Sequence, residues 1–558
     1  MGRDDVLQND SIVIQIEGLG EYSVPVGSSA EELTYKIKDQ VKVPIMAVAV
    51  NNELKDLSFN FTEPCQVRLI TLDTEQGLRV YRSSAAFLLT RAVREVFPNR
   101  KLIIRHSLSN GLFCEFLNYE PERKEVEKLQ QCMEELVKRD LPFVRKVMPR
   151  EEACRIFEQQ DQMDKVKLLQ SRQKDVVHVY ELDGWYEYSY GYMVPRTSMI
   201  NNFRLLHYPP GIILQTPEAD RPYEIKPYIE QKKLAAVFKE AKDWADMLQT
   251  PHVGALNELI ANHQIEDLIW VNEALHEKKI ASIADMICQD PHKRLVLISG
   301  PSSSGKTTFA QRLLIQLRVN GRRPVSISLD NYFVNRDETP LDENGEYDFE
   351  SLYALKLDLF NDHLQRLIAG EEVLTPIYSF QKGCCEEEGL LIKVPPGEPI
   401  IIEGIHALNE ELTSKIPHDQ KFRIYVSALT ALNIDYTNRI PTTDSRLIRR
   451  IIRDSRTRGY GALQTIRRWP SVRAGEERNI FPFQEHADVM FNSSLVYELS
   501  VLRTYAEPLL QEIGPENPEY LEAQRLLKFL SYFQPADGSV IPPNSILREF
   551  IGGSWFKS

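Results

Sequence analysis

No run of apolar residues in this 558-residue chain is long enough to span the hydrocarbon core of a bilayer. The opening MGRDDVLQNDS carries acids where a secretory signal carries a basic start and an apolar stretch. Gly2 is followed at position 6 by Val6, so the Ser or Thr of a myristoylation motif is lacking too. Cysteine is scarce: seven residues, scattered and odd in number, none in a CxxC pair. Cys384 and Cys385 are adjacent, a spacing that suits zinc poorly. Positive charge is also short, 67 Lys and Arg against 80 Asp and Glu, for a net charge of −13. Such a chain repels a phosphate backbone at long range, which excludes indiscriminate nucleic-acid binding but not a local basic site. Internal repeats and low-complexity tracts are missing. These absences leave a cytoplasmic protein with reduced thiols and an ordinary globular composition, 42% hydrophobic and 26% charged. Its length calls for several cores rather than one.

Patterning divides the chain into five stretches. Over 11–73, SIVIQIEG and EYSVPVG read as a hairpin, EELTYKIKDQV as a short helix, and IMAVAVNNEL and CQVRLITL as further strands. Over 78–230 a helix around SSAAFLLTRAVREVF precedes a strand pair, LIIRHSL and GLFCEFL. Charged helices follow from Pro121 to Gln173, then an aromatic β stretch, VVHVYELDGWYEYSYGYMV. Residues 231–290 are helical, with the apolar spacing of a packed helix pair rather than a linker. From 291 to 510 strands and helices alternate, the mark of α/β architecture. Residues 511–558 form a C-terminal extension.

The α/β part opens with the clearest motif. RLVLISG, a strand-type run, leads into GPSSSGKTT, and TFAQRLLIQLRVNG then reads as a helix ending at Gly321. Gly300, Gly305, Lys306 and Thr307 satisfy G-x-x-x-x-G-K-[ST]. In such a loop Gly300, Pro301, Ser302, Ser303, Ser304, Gly305, Lys306, Thr307 and Thr308 curl their backbone around phosphates. The helix start adds partial positive charge, Lys306 reaches the β- and γ-phosphates, and the Thr307 hydroxyl ligates Mg²⁺. ATP and Mg²⁺ are the expected cofactors.

Three further features point from phosphate binding to phosphate transfer. The strand PVSISL ends in Asp330, and a carboxylate at a strand's carboxyl end faces the ligand crevice, where it can take a proton from an attacking hydroxyl. An Asp-Asn pair also simply begins turns. The run EPIII ends in Glu403, the place for a carboxylate holding Mg²⁺ or its water. Finally, eleven arginines lie between 439 and 478 against four acids, Asp444, Asp454, Glu476 and Glu477. Arg446, Arg449, Arg450 and Arg453 fall on one helical face, where like charges repel unless an anion neutralises them. A lid clamping phosphoryl oxygens accounts for that face, and a solvated or RNA-binding face is the alternative.

Residues 292–505 resemble the uridine kinase/phosphoribulokinase family. The matching pieces, in family order, are GPSSSGKTT, SLDNYF, YDFESL, TPIYSF, IIEGIHAL, DSRLIRRIIRDSRTRG and FPFQEHADVMFNSS. The resemblance implies a P-loop α/β kinase that transfers the ATP γ-phosphoryl to the 5′-hydroxyl of a nucleoside, uridine or cytidine by default, in pyrimidine salvage. It implies Asp330 as catalytic base, Tyr332 beside the substrate, and Arg450, Arg453 and Arg458 as lid arginines. Phe349 and Glu350 stand where a Phe-Asp pair holds ribose hydroxyls, and Tyr378 and Phe380 where aromatics flank the base. The family's base-reading His is Gly383 here, and a last lid arginine is Tyr460, so another hydroxyl compound stays open as acceptor.

Residues 11–73 resemble a TGS domain, a ubiquitin-like β-grasp. Residues 78–215 resemble the second additional domain of threonyl- and alanyl-tRNA synthetases, on VYRSSAAFLLTRAVREVFP, NGLFCEF and YGYMVPRTSMINNFRLL. The four metal-ligand positions of that editing domain are Ser83, Phe87, Ser189 and Met193 here, so no zinc is expected. What is left could bind RNA, a nucleotide or a small effector. The aromatics Trp185, Tyr186, Tyr188, Tyr190 and Tyr192 could stack bases, although the packed face of a strand accounts for them better. A third reading of the whole chain is an RNA-associated regulatory ATPase. The kinase resemblance further implies a homo-oligomer, which no residue here carries.

Overall fold

A computed structural model describes residues 11–172, 174–342 and 345–556. The reading of residues 1–10 lies outside them, as do Gln173 and the last two residues of the C-terminal extension. The first unit is a β-grasp: a sheet ordered Gly20–Pro25, Ser11–Ile16, Cys65–Thr71, Ile45–Val50, Glu53–Lys55. Its central pair, Ser11–Ile16 and Cys65–Thr71, is parallel, as the fold requires when a crossover helix intervenes. That helix, Ala30–Ile37, begins with a capping box in which Ser29 and Glu32 satisfy each other's backbone N–H.

The second unit is α+β. Helix Glu75–Val96 and helix Arg123–Lys138 cover a four-stranded antiparallel sheet ordered Arg204–Tyr208, Gly211–Gln215, Gly111–Phe116, Leu102–Leu108. Beside it lies a three-stranded sheet of Trp185–Tyr188, Val176–Leu182 and Val144–Pro149. The last of these strands lies between the charged helices expected from Pro121 to Gln173. VRKVMP is short, charged and at a sheet edge, so its periodicity is too weak to stand out between helices. The aromatic stretch folds as a hairpin at Asp183-Gly184, both with positive φ. Its rings are engaged within the protein: Tyr188 and Tyr532 share a hydroxyl contact of 2.9 Å, and Arg94 lies 4.4 Å over Trp185.

Three helices rather than a pair, Lys232–Met247, Val253–Ala261 and Ile265–Cys288, lead into the last unit. There five parallel strands are ordered Val325–Ser328, Ile400–Glu403, Leu295–Ser299, Lys421–Ser427, Val489–Asn492. Leu295–Ser299 and Ile400–Glu403 are nearly continuous apolar runs because helices cover both faces. Residue 511 onward is no loose tail: helix Tyr520–Leu530 and the turn Arg548–Ile551 pack on the α/β unit, with Leu526, Leu547 and Phe550 fully buried. No helix among the described residues is long and apolar enough to cross a membrane.

The synthetase-like and α/β units share one apolar core, in which Phe157 and Leu168 pack in the same cluster as Val296 and Ile448. A buried charge cluster fixes the seam. Lys165, 1% exposed, lies 3.0 Å from Glu187, 3.4 Å from Asp435 and 3.7 Å from Asp164, and donates to the Thr437 hydroxyl at 2.9 Å. Burial pushes the Glu187 carboxyl up to about 7 in spite of that lysine. Replacing Lys165 by Met strands three acids without a cation. Such a loss is expected to cost about 3–5 kcal/mol, read as a lower midpoint in urea unfolding. A change below about 1 kcal/mol would show the cluster to be a bystander.

Candidate phosphotransfer site

The loop GPSSSGKTT joins the central strand Leu295–Ser299 to helix Lys306–Val319, so its N–H groups and the helix start face the crevice at the strands' carboxyl ends. Gly305, at φ +82°, adopts a conformation that L side chains rarely take. The buried Ser303 and Ser304 hydroxyls have no hydrogen-bond partner among the described residues, which leaves them to a ligand. The Lys306 ammonium donates to the Pro301 carbonyl at 3.0 Å. Burial lowers its pKa, against the pull of Glu403, Asp330, Glu549 and Glu350.

Four carboxylates thus converge on one lysine. Asp330 sits in the short turn Leu329–Tyr332 that ends strand Val325–Ser328, and it accepts no hydrogen bond among the described residues. Glu403 ends the neighbouring strand, in register with Ile298 and Ser328, and accepts from the Ser328 hydroxyl at 2.6 Å. Burial, reinforced by Asp330, pushes Glu403 up to about 7. A buried carboxyl beside a second one is a place that a divalent cation would neutralise. Together with the Thr307 hydroxyl it fits Mg²⁺, which takes few protein ligands and completes its shell with phosphate and water.

The arginine face is real, but its neutralising anions belong to the chain. On helix Thr442–Arg453, Arg446 pairs with Glu476 and Arg449 with Glu498, all four groups buried. Arg446 also donates to the Ser302 carbonyl at 2.9 Å, and Arg449 to Ser493 O at 2.9 Å. These two are struts of the P-loop. Arg450 instead reaches the Ser302 hydroxyl at 2.7 Å, and Arg453 and Arg458 gather round Asp454 in a π-helical turn, Asp454–Arg458. Burial and the neighbouring Arg453 lower Arg458 to about 10. All three lid arginines keep side-chain exposures of 12–22%, where Arg446 and Arg449 keep almost none.

On the acceptor side, Arg458 lies 4.3 Å over the Phe380 ring, which meets Tyr378 edge-on at 5.3 Å. Glu350 packs against Gly475, and its Oε2 has no hydrogen-bond partner among the described residues. Burial pushes it up to about 7, with Arg450 pulling the other way. Phe349 lies 5.9 Å from Tyr347, with Arg468 over its ring. Tyr332 stands apart from these residues. Expected beside the substrate, it is fully buried in the core, edge-on to Phe360, with its hydroxyl 3.1 Å from His363 Nδ1. Gly383, at φ +74°, has its side-chain space filled by Arg336: a Cβ there would come within 2.8 Å of the guanidinium carbon.

Residues 295–499 match the model described as the Phosphoribulokinase / Uridine kinase family. This region is thus similar to that family, as its P-loop motif implies. The N-terminal half matches threonine–tRNA ligases: that of Desulforamulus reducens is 29% identical over 197 residues, 35% of this chain and 31% of the relative. That of Coxiella burnetii is 31% identical over 189 residues, 33% of this chain and 28% of the relative. The chain therefore spans less than a third of the length of these curated relatives. Among solved structures, a possible uridine kinase from Bacillus stearothermophilus is 19% identical, covering 38% of this chain and 100% of its own, with a TM-score of 0.26.

The four positions of the synthetase-like unit that the resemblance matches to metal ligands are Ser83, Phe87, Ser189 and Met193. Phe87 lies against Phe143 at 5.7 Å, Met193 is buried, Ser189 bonds Gly191 at 3.3 Å, and Ser83 is half-buried. Sequence reasoning missed Arg336, for which the departure at Gly383 was a signal, and Glu549, for which there was none.

The raised Glu350 carboxyl sets a pH dependence. Its folded-state pKa of about 7 lies above the ordinary 4.5, so the folded state binds more protons between those values. Stability is then full at the acid end of that window and declines as pH rises through it. Glu350→Gln is expected to flatten the fall in melting temperature between about pH 5 and pH 7.5. An unchanged slope would mean that Glu350 titrates normally.

Proposed function

We propose that the chain transfers the γ-phosphoryl of ATP to a hydroxyl of a small sugar-bearing acceptor, a nucleoside being the acceptor implied by the resemblance. The observation that carries this reading is Asp330: a carboxylate free of hydrogen-bond donors, at a strand's carboxyl end, beside the P-loop lysine. Asp330 takes the acceptor hydroxyl proton as the new O–P bond forms and the bond to the ADP oxygen breaks. Lys306, Arg450, Arg453 and Arg458 stabilise the charge on the transferring group, and Glu350 binds sugar hydroxyls. Mg²⁺, held through Thr307 and Glu403, supplies charge neutralisation at the β- and γ-phosphates. The aromatic pair Tyr378 and Phe380 is a platform for a planar acceptor group. A cytoplasmic site of action belongs to the same proposal.

A second reading of the acceptor is favoured by Arg336. Where the family's histidine reads a pyrimidine, this chain places a guanidinium, which donates to the Phe380 carbonyl at 2.8 Å and forms no ion pair among the described residues. A donor-only group there suits a hydroxyl compound bearing a carboxylate or phosphate better than a nucleobase edge that mixes donors and acceptors.

ADP release with Mg·ATP against a panel of nucleosides, hydroxy acids and sugar phosphates tests both. Asp330→Asn is expected to lower turnover by about 10²–10⁴-fold with ATP binding kept, and Lys306→Ala to abolish it. Near-normal turnover in Asp330→Asn would remove the base assignment. Turnover that no acceptor stimulates would favour the regulatory ATPase.

A further inference from the structure

The C-terminal segment closes on the nucleotide side of the P-loop. Ile546 is fully buried and rests on Gly305: a Cβ built on that glycine would come within 2.5 Å of Ile546 Cγ2. Three residues on, Glu549 turns its carboxylate toward the start of helix Lys306–Val319. Its Oε2 accepts from the Thr308 backbone N–H at 3.2 Å and from the Thr308 hydroxyl at 2.8 Å. The same charge acts on Lys306, Glu403 and Arg453. The segment is also clasped by the arginine-rich lid: Arg456 donates to the Phe550 carbonyl at 2.6 Å, and the Arg449 guanidinium lies 4.9 Å over the Phe550 ring.

The Thr308 N–H belongs to the donors that cradle phosphate in a loop of this kind. One N–H cannot serve a carboxylate and a phosphate at once, and a carboxylate beside a polyphosphate is repelled by it. We propose that Glu549 is an internal competitor for the nucleotide, occupying a phosphate position on the P-loop until ATP displaces it. The inference rests on reading GPSSSGKTT as the nucleotide site. Leu547 and Phe550 anchor the segment in the core, whereas Glu549 itself is only half-buried. Displacement therefore needs a swing of one side chain rather than release of the whole extension. Through Arg456 and Phe550, that swing reports on the lid.

A carboxylate that merely caps the helix gives the opposite result on nucleotide affinity, so the two are separable. Calorimetric titration of the full chain with Mg·ATP, in wild type, Glu549→Gln, Glu549→Ala and Lys306→Ala, reads the difference. Both Glu549 variants are expected to bind Mg·ATP about tenfold more tightly than wild type, the scale of losing one charge-assisted competitor. In wild type, Mg·ATP is expected to leave hydrogen exchange across residues 545–552 unchanged, since only the Glu549 side chain moves. Equal or weaker binding by both variants, or slower exchange there, overturns the competitor. If neither wild type nor the Glu549 variants bind Mg·ATP, the nucleotide reading of the loop fails and takes this inference with it. Binding that Lys306→Ala weakens but Glu549→Gln leaves unchanged sinks the inference alone.

Discussion

The buried ion pairs of helix Thr442–Arg453 hold the rest of the site in place. A helix face with four arginines is unstable by itself, because like charges one turn apart repel and burial magnifies the repulsion. The chain resolves this with its own acids: Glu476 for Arg446, Glu498 for Arg449, and Asp454 for Arg450 and Arg453. Asp444, near the start of the helix, is held in turn by Arg525 at 2.7 Å. A buried pair of this kind contributes little net stability, but removing one partner is costly, so its role is to fix geometry. What it fixes is the spacing between the P-loop and the lid. Arg446 holds Ser302 by its carbonyl, and Arg450, one turn on, meets the same residue by its hydroxyl.

The same helix is where the N-terminal half acts on the kinase region. The segment just before it, Asn433–Asn438, receives Lys165 on Asp435, and its Asn433 amide donates to the Ile104 carbonyl of the synthetase-like sheet at 2.7 Å. Arg79, on the first long helix of that unit, bonds Glu522 at 3.0 Å, and Glu522 holds Arg525, which grips Asp444. The synthetase-like unit thus abuts the N-terminal end of the helix that presents the arginines. Through these contacts the unit buttresses the arginine helix beside the P-loop.

Sequence alone was enough where chemistry is local. Gly300 to Thr308 is contiguous, its glycines and lysine are demanded by phosphate geometry, and strand and helix lie on either side as required. Asp330 and Glu403 were legible because an apolar run ending in an acid places that acid at the mouth of a parallel sheet. Arg446 and Arg449 were not separable from Arg450 and Arg453 by spacing: their partners, Glu476 and Glu498, lie 30 and 49 residues away. Tyr332 follows Asp330 closely in sequence, yet a single turn directs it into the core against Phe360. Glu549 is the extreme case, meeting Thr308 across 241 residues from a stretch, LREFIGG, that carries no motif.

The central claim is that the P-loop and the arginine helix form one phosphoryl-transfer site with Asp330 at its open side. A crystal structure of the full chain with ADP, Mg²⁺ and aluminium fluoride tests this most directly, since the fluoride marks the transferring group. The account predicts aluminium fluoride seated between Lys306 and the guanidinium groups of Arg450 and Arg453, with Asp330 facing it from the acceptor side. A nucleotide bound elsewhere, or a fluoride that no arginine of this helix approaches, would contradict it.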